Sequence, residues 1–172
     1  MTAEQPYTLV KHYDGFDVRH YPDYVLVQVD VVGDFMRAGN VAFGPLVSYI
    51  SGNNMANKKF AMTAPVIQET TAQETHTVSF VLPEGVDISE VPVPANARVR
   101  TAHVHAHDAA VMKFGGGWNA TRFQNNGELL LERVKEAGLI PEGNVYFARF
   151  DPPWKPGFLK RNEVLVALAP RG

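Results

Sequence analysis

The order of apolar runs along this chain repeats, and the repeat constrains the fold more than any single motif does. Runs of strand composition occupy residues 7–13, 16–21 and 24–32, separated by the turn signals Asp14-Gly15 and Pro22-Asp23. They predict an antiparallel meander. Asp34 then offers an N-cap for a helix over 35–50, which stops at Ser51-Gly52-Asn53-Asn54. Strands follow at 60–69 and 76–82, and a stretch punctuated by Pro83, Pro92 and Pro94 reads as a surface loop. The same order then returns, with strands at 98–107 and 109–115, a helix over 120–137 capped by Asn119, and strands at 145–150 and 163–168. Gly33-Asp34-Phe35 introduces the first helix and Gly116-Gly117-Trp118 the second. The prediction is an α+β fold of two pseudo-symmetric ββαββ-like halves, about 7–82 and 98–168, within a single domain. Each half supplies a half-sheet and one helix, with the strands curled toward an antiparallel β-barrel.

At 172 residues the chain matches one domain and is long enough to bury a core without disulfide or metal staples. It has no cysteine, which excludes a disulfide framework, thiolate-bound zinc, iron–sulfur clusters, thiol catalysis and CxxCH attachment of haem. The 16 Lys and Arg nearly balance the 18 Asp and Glu, so no field attracts nucleic acid or an anionic membrane, and nucleic acid is not an expected partner. No run approaches the ~18–20 apolar residues of a membrane span, and Met1-Thr-Ala-Glu-Gln-Pro6 lacks the features of a signal peptide, so a cytoplasmic location is expected.

The two helices differ. In the second, Phe123, Leu130, Val134 and Ala137 mark an apolar face, and charged residues fill the rest. The first is apolar all round, with Arg37 as its only charge. One face (Met36, Phe43, Val47, Ile50) can pack on a sheet; the remaining surface needs a ligand, another protein, or a cover from loops 51–59 or 83–96. Gly44-Pro45 inside this helix predicts a kink, since proline removes a backbone hydrogen bond.

His103-Val104-His105-Ala106-His107 sets three imidazoles at every second position, on one face of the predicted strand. Neighbours on such a face stand ~7 Å apart, a spacing that metals use, but all three span ~13 Å and a site needs a further ligand from elsewhere. Ala102, Val104 and Ala106 read as the core side, so the histidines are expected to face solvent. Gly115-Gly116-Gly117-Trp118 lacks the lysine and glycine spacing of a phosphate loop, and no Gly-x-Ser-x-Gly elbow occurs. No autonomous catalytic constellation is visible, and no enzymatic activity is expected. His20, in Asp17-Val18-Arg19-His20-Tyr21-Pro22, reads as a partly exposed histidine at a strand end. Lys58-Lys59, beside Phe60, reads as a solvated pair that is also able to hold carboxylates.

Three segments carry a resemblance: Met62-Thr63-Ala64-Pro65-Val66, Met112-Lys113-Phe114-Gly115-Gly116, and Phe150-Asp151-Pro152-Pro153-Trp154-Lys155-Pro156 followed by Arg161-Asn162-Glu163-Val164. In their order and spacing the chain resembles the SOUL/haem-binding-protein family over essentially its whole length. Phe16-Asp17-Val18-Arg19-His20-Tyr21 is similar to the opening motif of the SOUL branch. The resemblance implies a distorted antiparallel β-barrel flanked by two helices, built from a duplicated unit. It also implies non-covalent binding of haem b or another porphyrin in an apolar groove along helix 35–50, as carrier, buffer or sensor. The groove residues would be Val41, Phe43, Pro45, Leu46 and Tyr49, with His20 as the leading candidate for axial ligand to the iron. Members with a basic clamp for the haem propionates carry Arg and Lys on the first helix, where alignment on Pro45 places Val41 and Tyr49 here. Arg37, Lys58 or Lys59 would have to replace them. Two other readings stand beside this one: an effector-sensing or interaction domain that takes other hydrophobic ligands or a protein partner, and a haem-dependent, peroxidase-like enzyme.

Overall fold

The computed structural model describes residues 3–116, 119–151 and 160–170. Its elements run β1 (Ala3–Glu4), β2 (Thr8–Tyr13), β3 (Phe16–Tyr21), β4 (Tyr24–Val32), α1 (Phe35–Ile50), β5 (Thr63–Ala64), β6 (Val66–Ala72), β7 (Thr75–Val81), β8 (Val99–Val104), β9 (His107–Gly115), α2 (Ala120–Glu136), β10 (Pro141–Arg149) and β11 (Arg161–Leu168). The class is α+β, with antiparallel ladders apart from the short parallel pair β1–β5. The expected motif segment 152–156 and the turn at Gly117-Trp118 lie outside the described residues.

Two compact units form. One holds the chain up to Gln5 together with residues 23–105; the other holds 6–22 and everything from 106 onward. The predicted meander therefore does not form: β2 and β3 pair with each other, but β3 continues onto β9, and β4 pairs with β7 and β8. Pro22-Asp23 is the point at which the chain passes from the second unit to the first. In the first unit the strands lie in the order β6-β7-β4-β8, and in the second β2-β3-β9-β11-β10. The two arrangements are equivalent about their helices. The strand before the helix pairs with the second long strand after it (β4 with β7, β9 with β11), and on its other side with a strand from the other half of the sequence (β8 or β3). Neither set of strands closes on itself within its own unit.

In the first unit Val25, Val27, Val29 and Val31 alternate along β4 and are all buried, as strand periodicity requires when one face meets a helix. That helix is α1. Asp34 caps it, its carboxylate accepting from the Met36 N–H at 3.2 Å. The buried face is Ala38, Gly39, Ala42, Leu46, Tyr49 and Ile50, packed against β4, β7 and β8. The predicted packing face is thus displaced: Met36 and Phe43, expected against the sheet, are exposed. Small side chains at 38, 39 and 42 explain the choice, because they let the helix backbone approach the sheet closely. The helix runs unbroken through Pro45.

In the second unit α2 packs Phe123, Gly127, Leu130 and Val134 on β9, β10 and β11. Gly127 takes the place expected of Ala137, which is exposed at the helix end. A Cβ at 127 would meet Val145 Cγ1 at 3.3 Å, so glycine sets the closeness of helix and strand. Phe123 is clasped between Phe114 and Phe147, with ring centroids 4.8 and 5.0 Å away.

A buried ion pair fastens this unit. Arg19 on β3 and Glu163 on β11 flank β9 and meet in a two-pronged contact, Nη1 to Oε1 and Nη2 to Oε2, each 2.9 Å. They are 2% and 3% exposed. Arg19 Nη1 also donates to the Tyr21 hydroxyl at 3.0 Å, and the guanidinium lies 4.0 Å from the centroid of the Tyr7 ring. Burial opposes the Arg19 charge, but hydrogen bonds and charge attraction from Glu163 and Tyr21 outweigh it and hold the guanidinium pKa above its ordinary range. Asn162 adds a second tie, its Nδ2 donating to the Gly116 carbonyl at 2.9 Å.

Candidate ligand-binding site

Helix α1 leaves large apolar side chains outside the core of its unit: a short stripe of Met36 and Phe43 along one side, and Val41 about 140° round the helix from it. Met36, Val41 and Phe43 are 36%, 51% and 50% exposed, and Phe43 is steadied from below by an edge-to-face contact with Phe80 at 5.7 Å. Arg37 is exposed among them. Pro45 is half-buried and has no N–H, so the carbonyl of Val41 lacks its helical donor on the exposed side.

Not all of the predicted groove residues belong to this stripe. Leu46 is fully buried and Tyr49 is 1% exposed, and both sit in the core with Val27, Val29, Val78 and Phe80. The small-residue face of α1 turns both inward. The Tyr49 hydroxyl donates to the Pro92 carbonyl at 2.7 Å, and burial pushes its pKa up. Val86 and Val91 also pack against this cluster. The loop over 83–96 therefore meets α1 at Tyr49, near the C-terminal end, and the large apolar residues left exposed on the helix lie within 36–43.

Lys58 and Lys59 are exposed on a loop that Asn54 organises. The buried Asn54 amide donates to the carbonyls of Tyr49 (3.0 Å) and Lys58 (2.8 Å), and its Oδ1 accepts from the N–H groups of Ala56 (3.2 Å) and Lys58 (3.0 Å). With every polar atom of its side chain used, Asn54 fixes the loop backbone while leaving the lysine heads outside. The Lys58 ammonium lies 5.2 Å from the centroid of the Phe60 ring.

His20 belongs to the second unit. It lies near the end of β3 directly opposite Asp108 on β9, and the cross-strand pair closes at 2.8 Å between Nδ1 and Oδ1. With Nδ1–H donated to the carboxylate, Nε2 carries the lone pair that an iron would take, and the partner fixes the ring. Its side chain is 46% exposed. Sequence reasoning did not single out Asp108, because the pairing of β3 with β9 spans 88 positions. His12 and Asp17, opposite each other on β2 and β3, make a similar pair at 2.7 Å.

The 103–107 histidines do not share one strand face, as was expected. Strand β8 ends at Val104 and β9 begins at His107, and the two residues between carry the chain from the first unit to the second. His107 stacks near Tyr21, with centroids 6.1 Å apart, whereas His103 and His105 turn to Asp23.

For a flat apolar group with two carboxylates, residues of the first unit are of fitting kinds, with exposed Val41, Phe43 and Met36 for area and Arg37, Lys58 and Lys59 for anions; the second unit separately carries the Asp-braced His20, a residue of a kind that binds iron. None of the described helices is long and apolar enough to cross a membrane.

Comparison with solved structures supports the fold. The crystal structure of the EcmrR C-terminal domain is similar at a TM-score of 0.67 and 12% identity, over 95% of this chain and 98% of that one. A hydrolase from Listeria innocua is similar at 0.56 and 11% identity, over 88% and 91%. The structure of SAV2435 bound to tetraphenylphosphonium is similar at a TM-score of 0.50 and 7% identity, over 90% of this chain and 93% of that one. No curated protein matches the chain. The model of the SOUL heme-binding protein family matches residues 2–167, nearly the whole sequence, and the chain belongs to that family.

Proposed function

We propose that this protein binds haem or a related tetrapyrrole non-covalently through the N-terminal half of α1, as a carrier, buffer or sensor. The observation that carries the reading is the exposure of Met36, Val41 and Phe43, large apolar residues left outside the core on one helix of a member of a haem-binding family. Each 100 Å² of apolar surface covered there contributes about 2.5 kcal/mol before the costs of association. Arg37, Lys58 and Lys59 are the proposed partners of the propionates. Pro45 shapes the stripe, and Leu46 and Tyr49 support it from the core.

Iron ligation by His20 is a separate proposal with its own test. Titrating hemin into the protein should give a saturable Soret change at about one haem per chain. His20→Ala should shift the band and weaken binding, and Asp108→Asn, which leaves the imidazole but removes its brace, should weaken it by about tenfold. Identical spectra and affinities in both variants would remove His20 from the iron. A peroxidase-like activity would require turnover above that of free hemin.

A second reading, that the same stripe takes a different hydrophobic ligand, is favoured by one observation: a protein of similar fold holds tetraphenylphosphonium. Tetraphenylphosphonium binding that hemin does not displace would favour that reading.

A further inference from the structure

Two histidines converge on an aspartate far from them in sequence. Antiparallel pairing of β4 with β8 sets Tyr24 opposite Val104 and Val25 opposite His103. Carrying that register one residue further sets Asp23 opposite position 105, with His103 two residues along on the same side of the ribbon. The side chains follow the register. His103 Nε2 lies 2.8 Å from Asp23 Oδ2, and His105 Nδ1 lies 4.0 Å from that same oxygen. The two imidazoles meet edge to face with centroids 4.5 Å apart, and one donor atom from each of the three residues falls within 4.8 Å of the others.

A zinc ion holds nitrogen and oxygen ligands at about 2.0–2.2 Å, which in a tetrahedron places neighbouring donors roughly 3.3 Å apart. The separations of 2.8 Å, 4.0 Å and at most 4.8 Å bracket that value. The side chains of Asp23, His103 and His105 are 57%, 29% and 86% exposed, so rotation about their χ angles can close the difference without moving the backbone. A further carboxylate, Asp87, lies within electrostatic reach of His103; one of its oxygens already accepts from the Ser89 N–H and hydroxyl, so it adds negative charge near the cluster. We propose that Asp23, His103 and His105 form a binding site for a divalent first-row cation of zinc type, with the remaining coordination position taken by water. Two imidazoles and one carboxylate suit Zn²⁺ in preference to Mg²⁺ or Ca²⁺, which favour all-oxygen shells. The ion would tie the start of β4 to the end of β8, within the first unit and independently of any tetrapyrrole.

The test is calorimetric titration of Zn²⁺ into haem-free protein in a non-chelating buffer. Saturable binding of one ion per chain is expected, and Asp23→Asn and His103→Ala should each weaken it by at least about tenfold. His12→Ala, which removes a histidine–aspartate pair elsewhere, should leave it unchanged. All three substitutions are at exposed positions, and circular dichroism checks that each variant keeps its fold. Zn²⁺ should raise the thermal midpoint of the wild type and not that of Asp23→Asn. No saturable binding at millimolar Zn²⁺, or equal affinity in wild type, Asp23→Asn and His103→Ala, would overturn the site.

Discussion

Glu163→Ala should destabilise the protein by about 3–5 kcal/mol, the usual cost of stranding one charge of a buried pair. Arg19, 2% exposed in the wild type, would be left with the Tyr21 hydroxyl and the Tyr7 ring, neither of which is a carboxylate. Its hydrogen bonds to Glu163 make the largest contribution to offsetting burial of the guanidinium, ahead of Tyr21. Glu163→Gln, which keeps one acceptor and the shape, should lose less. Replacing both partners with apolar residues of similar volume should recover much of the loss, because the desolvation cost disappears with the charges. Urea unfolding of the four proteins measures this. A loss below about 1 kcal/mol in Glu163→Ala would show that the pair does not hold β3 and β11 about β9.

The second large effect separates residues that hold α1 from residues offered to a ligand. Leu46→Ala should cost about 2–5 kcal/mol, as expected for a fully buried leucine among valines and Phe80. Val41→Ala, at a position 51% exposed, should stay within about 0.5 kcal/mol. Thermal or denaturant unfolding compares the two directly. Similar losses at 41 and 46 would mean that the stripe is part of the core after all.

How far the sequence could be read depended on whether each feature is local. Both helices were legible with their ends, because Asp34, Asn119 and Ser51-Gly52 act within one turn of the residues they cap or stop. Which face of α1 packs was not legible. A helix apolar all round has no hydrophobic phase, and the decision fell to Ala38, Gly39 and Ala42, whose size matters only against a particular sheet. Strand partners were equally hidden. The alternation within β3 and β4 is plain, yet nothing local says that β3 joins β9 while β4 joins β8. The same gap hid Asp108 beside His20 and Asp23 beside His103, since each carboxylate lies 80 or more positions from its imidazole. The histidine run misled only at its far end, because the alternation that brings His103 and His105 together does not extend to His107, which begins β9.

Membership of the SOUL heme-binding protein family and the exposed apolar residues of α1 lead to one central claim, that this helix takes a tetrapyrrole. Hemin titration of the wild type beside the double variant Val41→Glu, Phe43→Asp tests it most directly. Both substituted residues are at least half exposed, so the variant should remain folded by circular dichroism. The expected result is a saturable Soret change at about one haem per chain in the wild type, weakened by a hundredfold or more in the double variant, since charge replaces the apolar contact. Equal hemin affinity in the two proteins, or a wild-type signal that rises without saturation, would contradict the claim.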